Sequence, residues 1–147
     1  MKAPVCKVCG HIVLNGVIPE KCPVCFSPKT AFEEKDDAIK EPQDPNNLTD
    51  PEKKHTPKIV VVKECGLISD SCKDVHVKVG EIQHPMQAEH FIGTIDFYIN
   101  NEYISRIQLT PEKVNPAGAL HLNVKEGKIT AVSSCNVHGC WKNEADL

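Results

Sequence analysis

Two CxxC pairs, Cys6 and Cys9 in "CKVCG" and Cys22 and Cys25 in "KCPVC", lie within the first thirty or so residues of a 147-residue chain. A segment that short cannot bury a core large enough to hold itself folded. Each CxxC can instead form a tight knuckle whose backbone N–H groups point at the sulfurs, and four thiolates make a closed tetrahedral site for iron or zinc. Such a site can be a staple, holding the segment together, or an iron centre that transfers electrons; residue spacing leaves both open. The redox setting agrees with metal. The chain has no signal-like apolar run at its N-terminus and no stretch of eighteen apolar residues, so a cytoplasmic location and no membrane contact are expected. In that compartment thiols stay reduced, and the eight cysteines read as ligands before disulfides.

The rest of the chain divides by composition. Residues 1–35 form the cysteine-punctuated domain. Residues 36–52, within the acidic, proline-rich stretch "EEKDDAIKEPQDPNNLTDPE", read as a linker, and residues 53–147 as a second domain. In it, apolar and polar residues alternate in short runs at 58–62, 75–79, 91–99, 102–109, 119–124 and 128–132, which predicts strands. Asn100-Asn101 suits a two-residue hairpin turn and Glu126-Gly127 another. Short strands without a long amphipathic helix predict a mostly β fold, an antiparallel β-sandwich. The net charge of −3 and the lone arginine, Arg106, argue against nucleic acid as a partner.

A second candidate centre begins at "SSCNVHGCW", where Cys135 and His138 can reach one ion from a turn. Their partners are sought in loops at strand ends, where a sandwich gathers distant residues: His55 in "KKHTP", and His84 and His90 bracketing "HPMQAEH". His76 and His121 sit inside alternating runs and read as satisfied or surface strand residues. His11 reads as a surface residue beside an already closed site. Cys65, Cys72 and Cys140 read as free or buried thiols, with a Cys65–Cys72 disulfide the lesser alternative. Four imidazoles and one thiolate make a five-ligand set that suits iron better than a structural zinc, and leave a sixth position open.

Residues 5 to about 32, with their paired knuckles, resemble the rubredoxin-like domain attached to rubrerythrins. That resemblance implies a single iron. Residues 53–142 resemble superoxide reductase, the family that includes desulfoferrodoxin and neelaredoxin, through "KHTP", "HPM" followed by "EHFI", and "CNVHGCW". The resemblance implies an immunoglobulin-like sandwich holding a non-haem iron, with His55, His84, His90 and His138 equatorial, Cys135 axial and the open face towards solvent. It also implies one-electron reduction of superoxide to hydrogen peroxide, an external electron donor such as rubredoxin, and a homodimer or larger assembly. Lys54 matches the family lysine near the open position, where its charge attracts the superoxide anion. The N–H groups of Asn136 and Val137 are expected to reach the Cys135 sulfur. In two places the chain departs from the family pattern: Lys53 stands where a glutamate often precedes the lysine, and "HFIGTI" lacks the usual tryptophan. Glu52, one position further from His55 than the family glutamate, is expected to point away from the iron. The rival readings are an electron carrier and a zinc-stapled binding protein without catalysis.

Overall fold

The computed structural model describes every residue except Glu64 and Gly66. Strands β1 (Ala3–Cys6) and β2 (Phe32–Lys35) pair in the N-terminal region. After them, among the described residues, come one short helix, α1 (Asp50–His55), and seven strands: β3 (Pro57–Val62), β4 (Lys73–Val79), β5 (Ile92–Ile99), β6 (Glu102–Gln108), β7 (Ala117–Leu122), β8 (Lys128–Cys135) and β9 (Gly139–Asp146). One sheet has the order β3-β4-β7 and the other β6-β5-β8-β9, with every pair antiparallel. Period-two patterning explains the core between them: Val75, Val77 and Val79 of β4 point inward to meet Ile95, Phe97, Ile129 and Ala131, while His76 and Lys78 are exposed.

The Asn100-Asn101 hairpin forms as expected between β5 and β6, both residues having positive φ (50° and 67°), a conformation asparagine tolerates better than most residues. The Glu126-Gly127 expectation is corrected. The chain does turn there, but β7 and β8 belong to different sheets, so this connection crosses the sandwich and is not a hairpin. β9 was not expected, because "GCWKNEAD" shows no apolar alternation. It is an edge strand, held by its ladder to β8 from Cys135↔Gly139 to Lys128↔Asp146. β8 itself runs on through Ser133 and Ser134 to Cys135, which places that thiol at a strand end.

The outer face of the four-stranded sheet is also covered. Ala3, Val5, Ile12, Ala38 and Ile39 pack against Tyr98 of β5 and Val132 of β8, and the Tyr98 hydroxyl donates to the Ile12 carbonyl at 2.8 Å. With both faces buried, β5 loses the alternation of exposure that a one-sided strand keeps. Residues 36–52 differ correspondingly from a free tether. Ala38 and Ile39 are buried, Lys40 makes a parallel bridge to Trp141 on β9, and 50–55 winds into α1. The few apolar residues of this acidic stretch fall where they can fill the seam beside the sheet.

Candidate metal centre

Each donor of the second cluster is delivered by the end of an element. His55 is the last residue of α1, whose start is fixed by Thr49 as N-cap and by Pro51 in the first turn. His84 and His90 lie in the β4–β5 connection, Cys135 ends β8, and His138 sits in the turn into β9. The corner is cross-tied: the Ser133 hydroxyl donates to the His55 carbonyl at 3.0 Å, and the Asn143 amide to the Pro57 carbonyl at 2.9 Å.

His55, His90, Cys135 and His138 each offer a ligand atom, and these four atoms lie within 4.8 Å of one another. His84 adjoins them, its ring centroid 4.9 Å from that of His55 and 4.6 Å from that of His90. Backbone contacts assign two of the tautomers. His55 Nδ1 is 2.7 Å from the Pro51 carbonyl and His84 Nδ1 is 2.7 Å from the Pro85 carbonyl; a carbonyl only accepts, so both Nδ1 atoms carry the proton and both Nε2 atoms present a lone pair. The Nε2 atoms of His84 and His90 are buried without a hydrogen-bond partner among the described residues. His55 Nε2 faces His138 Nδ1 at 3.1 Å, and Cys135 Sγ is 3.7 Å from that same Nδ1. Burial, followed by the other imidazoles, lowers the pKa of His84 to about 4, and burial likewise lowers that of His55. Both are therefore neutral at pH 7, as ligation requires. Buried lone pairs converging beside a thiol are costly unless a cation fills the gap, so these residues fit a metal ion. The exposed side of the cluster is that of His138, whereas His55, His84 and Cys135 are buried.

The contacts around the cluster differ in part from expectation. The Cys135 sulfur accepts from the N–H of His138, at 3.4 Å. The Asn136 N–H is instead committed to the Phe91 carbonyl at 3.2 Å. The Asn136 side chain accepts from the Phe91 N–H at 2.9 Å and donates to the Glu89 carbonyl at 3.0 Å, so it brackets His90 and clamps that loop to the Cys135 turn. Two further residues border the cluster, Trp141 at the end of the CNVHGCW motif and Lys40, which carried no sequence signal. Trp141 stacks on His55 with centroids 5.4 Å apart, and Lys40 reaches from the connecting segment to the His138 carbonyl at 3.2 Å. Lys54 is exposed on α1 directly before His55. Glu52 is held elsewhere: its carboxylate accepts from the Thr49 N–H at 2.7 Å and the Gln43 N–H at 3.1 Å. The segment is helical, and the capping contacts are what engage the carboxylate.

In the N-terminal cluster Cys6 Sγ is 3.6 Å from Cys25 Sγ, and Cys9 Sγ is 3.6 Å from Cys22 Sγ. The two knuckles repeat one pattern: the Gly10 N–H donates to the Cys6 carbonyl and the Phe26 N–H to the Cys22 carbonyl, each at 2.9 Å. Gly10 and Phe26 both have positive φ. The Ser27 hydroxyl, 3.1 Å from Cys25 Sγ, holds that thiol's pKa down at about 6, whereas burial pushes Cys9 up to about 12. His11 is corrected from a surface residue to a buried one, 3 % exposed. It stacks on Tyr98 with centroids 6.1 Å apart and packs edge-on to Tyr103. His76 is exposed on β4 and His121 is exposed on β7 with its Nδ1 hydrogen-bonded to Asp74 at 2.7 Å, each in keeping with a satisfied or surface strand residue.

Comparison with known proteins agrees with this geometry. The desulfoferrodoxin family matches residues 47–144, and the rubredoxin-like domain of rubrerythrin matches residues 5–33. The desulfoferrodoxin of Desulfarculus baarsii is 33% identical over 141 residues, covering 95% of this chain and 92% of that protein. A superoxide reductase of Pyrococcus horikoshii is 34% identical over 105 residues, covering 64% of this chain and 87% of the relative. Among solved structures, the superoxide reductase of Nanoarchaeum equitans superimposes with a TM-score of 0.55 at 29% identity, over 65% of this chain and 94% of that one. With its histidine and cysteine cluster at one end of the β-sandwich and its paired knuckles ahead of it, the chain belongs to the desulfoferrodoxin family and carries an N-terminal rubredoxin-like domain.

Proposed function

We propose that this protein is a superoxide reductase, converting superoxide to hydrogen peroxide with one electron from an external donor and two protons. The observation that carries the reading is the convergence of His55 Nε2, His138 Nδ1, Cys135 Sγ and a His90 nitrogen, with the partnerless Nε2 of His84 beside them. In this reading His55, His84, His90, His138 and Cys135 hold a non-haem iron. When bound, the iron supplies a one-electron reductant and a Lewis-acidic position for an anion, made more electron-rich by the thiolate.

The chain's own residues do the rest. The carbonyls of Pro51 and Pro85 orient the His55 and His84 rings, and Asn136 fixes the His90 loop. The N–H of His138 stabilises the negative charge on the Cys135 sulfur. Exposure on the His138 side admits a small anion and protons from water. The ammonium groups of Lys54 and Lys40 give that face a positive field that draws superoxide in. The knuckle cysteines Cys6, Cys9, Cys22 and Cys25 hold a second metal, as iron supplying a one-electron couple or as zinc. The same reading assigns residues 1–35 to the metal-knuckle domain, 36–52 to the connection and 53–147 to the catalytic sandwich. It includes a donor such as rubredoxin, a cytoplasmic setting and a homodimer or larger assembly.

The test is product stoichiometry. Iron-loaded protein supplied with a reductant should form as much hydrogen peroxide as it consumes superoxide, with no dioxygen released. Dioxygen evolution would instead indicate dismutation, and no acceleration of superoxide loss would leave an electron carrier or a stapled binding protein.

A further inference from the structure

A third group of ligand-bearing side chains lies at the opposite end of β3 and β4 from His55 and His84. Six residues of strand separate the two ends, roughly 20 Å. Asp74 on β4 and His121 on β7 are direct cross-strand partners and so present their side chains on one face. Cys72 immediately precedes β4, and Cys65 follows β3 in the β3–β4 connection. One ligand atom from each of the four lies within 4.8 Å of all the others. His121 Nδ1 is 3.4 Å from Cys65 Sγ and 3.6 Å from Cys72 Sγ, and Cys72 Sγ is 3.6 Å from Asp74 Oδ1.

Metal-ligand distances of about 2.3 Å for sulfur and about 2.0 Å for nitrogen or oxygen give sulfur-to-nitrogen and sulfur-to-oxygen edges of about 3.5 Å in a tetrahedron. Three of the observed separations fall on those edges. The fourth, 2.7 Å between His121 Nδ1 and Asp74 Oδ1, is a hydrogen bond. It would open by about 0.6 Å, with loss of the Nδ1 proton, for the two atoms to become neighbouring ligands.

We propose that Cys65, Cys72, Asp74 and His121 form a third metal site, suited to zinc. Two thiolates, an imidazole and a carboxylate at tetrahedral spacing match zinc's preferences, and a closed set of four protein ligands makes the site structural. The ion clips the β3–β4 connection to the outer surface of the three-stranded sheet and bonds β4 to β7 beyond their backbone ladder. Four amino-acid ligands leave no place for substrate, so the site is independent of superoxide chemistry.

The experiment uses the full chain with its iron sites filled, kept reduced, dialysed against chelator and then titrated with zinc, with metal content per chain measured alongside. The wild type should take up one zinc equivalent that both Cys65→Ser and His121→Ala fail to bind, with iron content and superoxide turnover equal in all three proteins. His121 is exposed, so its replacement tests ligation without removing a core side chain. Failure of the wild type to take up zinc would overturn the proposal. So would retention of the equivalent by either variant, or a Cys65–Cys72 disulfide in protein purified under reducing conditions.

Discussion

Asn136 is the residue whose removal should reveal most about how the His90 loop is held. Its side chain accepts from Phe91 and donates to Glu89, and alanine makes neither bond. Losses of this kind around a metal ligand typically cost about 10–100-fold in affinity. Asn136→Ala should weaken iron binding by that order while leaving the fold intact, measured as competition with a chelator and as unchanged circular dichroism. The cations pose a separate question. If Lys54 and Lys40 both steer superoxide, either alanine variant should slow the bimolecular reaction and flatten its dependence on ionic strength, because salt screens only the charge that remains. A rate and salt slope unaltered in Lys54→Ala but reduced in Lys40→Ala would assign the steering to the connecting segment. Sequence motifs marked the residues that the structure gathers here: Cys135, His138, His84 and His90 stand in segments flanking strands, and His55 in the segment just before β3. Lys40 carried no such mark: its partner is the carbonyl of His138, 98 positions away, and no local period encodes a contact of that range.

Helix α1 is a single turn and a half, yet it sets the height of His55. A side chain on Gly80 would overlap the Lys53 carbonyl oxygen and meet the Lys54 carbonyl oxygen at 3.0 Å, both backbone atoms that cannot swing aside. Gly80→Ala should therefore push the end of the helix outward and lower iron occupancy more than it lowers overall stability, seen as substoichiometric iron in protein that still folds. At the other end of the helix, the Thr49 and then the Gln43 backbone N–H groups hold the Glu52 carboxyl below the ordinary 4.5. Because the folded-state pKa is depressed, this contribution to stability is complete above about pH 4.5 and disappears as pH falls through the lower folded value. Metal-free wild type should accordingly lose thermal stability in that acid window. Glu52→Gln, which does not titrate, should be less stable at neutral pH and show a flatter acid limb; identical profiles would show that the cap contributes nothing. Strand prediction succeeded where one face is buried and the other wet, as in β4. It failed for β9, whose polar sequence is held by ladder hydrogen bonds at a sheet edge, and a sequence pattern does not report those.

On the scale of the whole molecule, the lone arginine fastens the two domains together. Arg106 Nε and Nη2 donate to the Asp96 carboxylate at 2.6 and 2.7 Å, and Nη1 donates to the Cys9 carbonyl at 2.7 Å. Asp96 is only 3 % exposed. Removing one partner of a buried pair strands the other, at a cost of about 3–5 kcal/mol. Arg106→Ala should lower the unfolding midpoint and make the connecting residues around 36–40 susceptible to protease. Asp96→Asn in the same background should recover part of the loss, since an amide tolerates burial without a cation better than a carboxylate does. The docking surface for residues 3–39 is built from β5 and β8, which the ribosome makes much later. Until Tyr98 and Val132 have emerged, Val5, Ile12 and Ile39 have only one another and no sheet to pack against. The four knuckle thiols, in contrast, all lie between residues 6 and 25 and can assemble without waiting. Synthesis therefore imposes an order on this architecture: the knuckle domain takes shape first on its cysteines, and its apolar flank stays in water until the sandwich is complete.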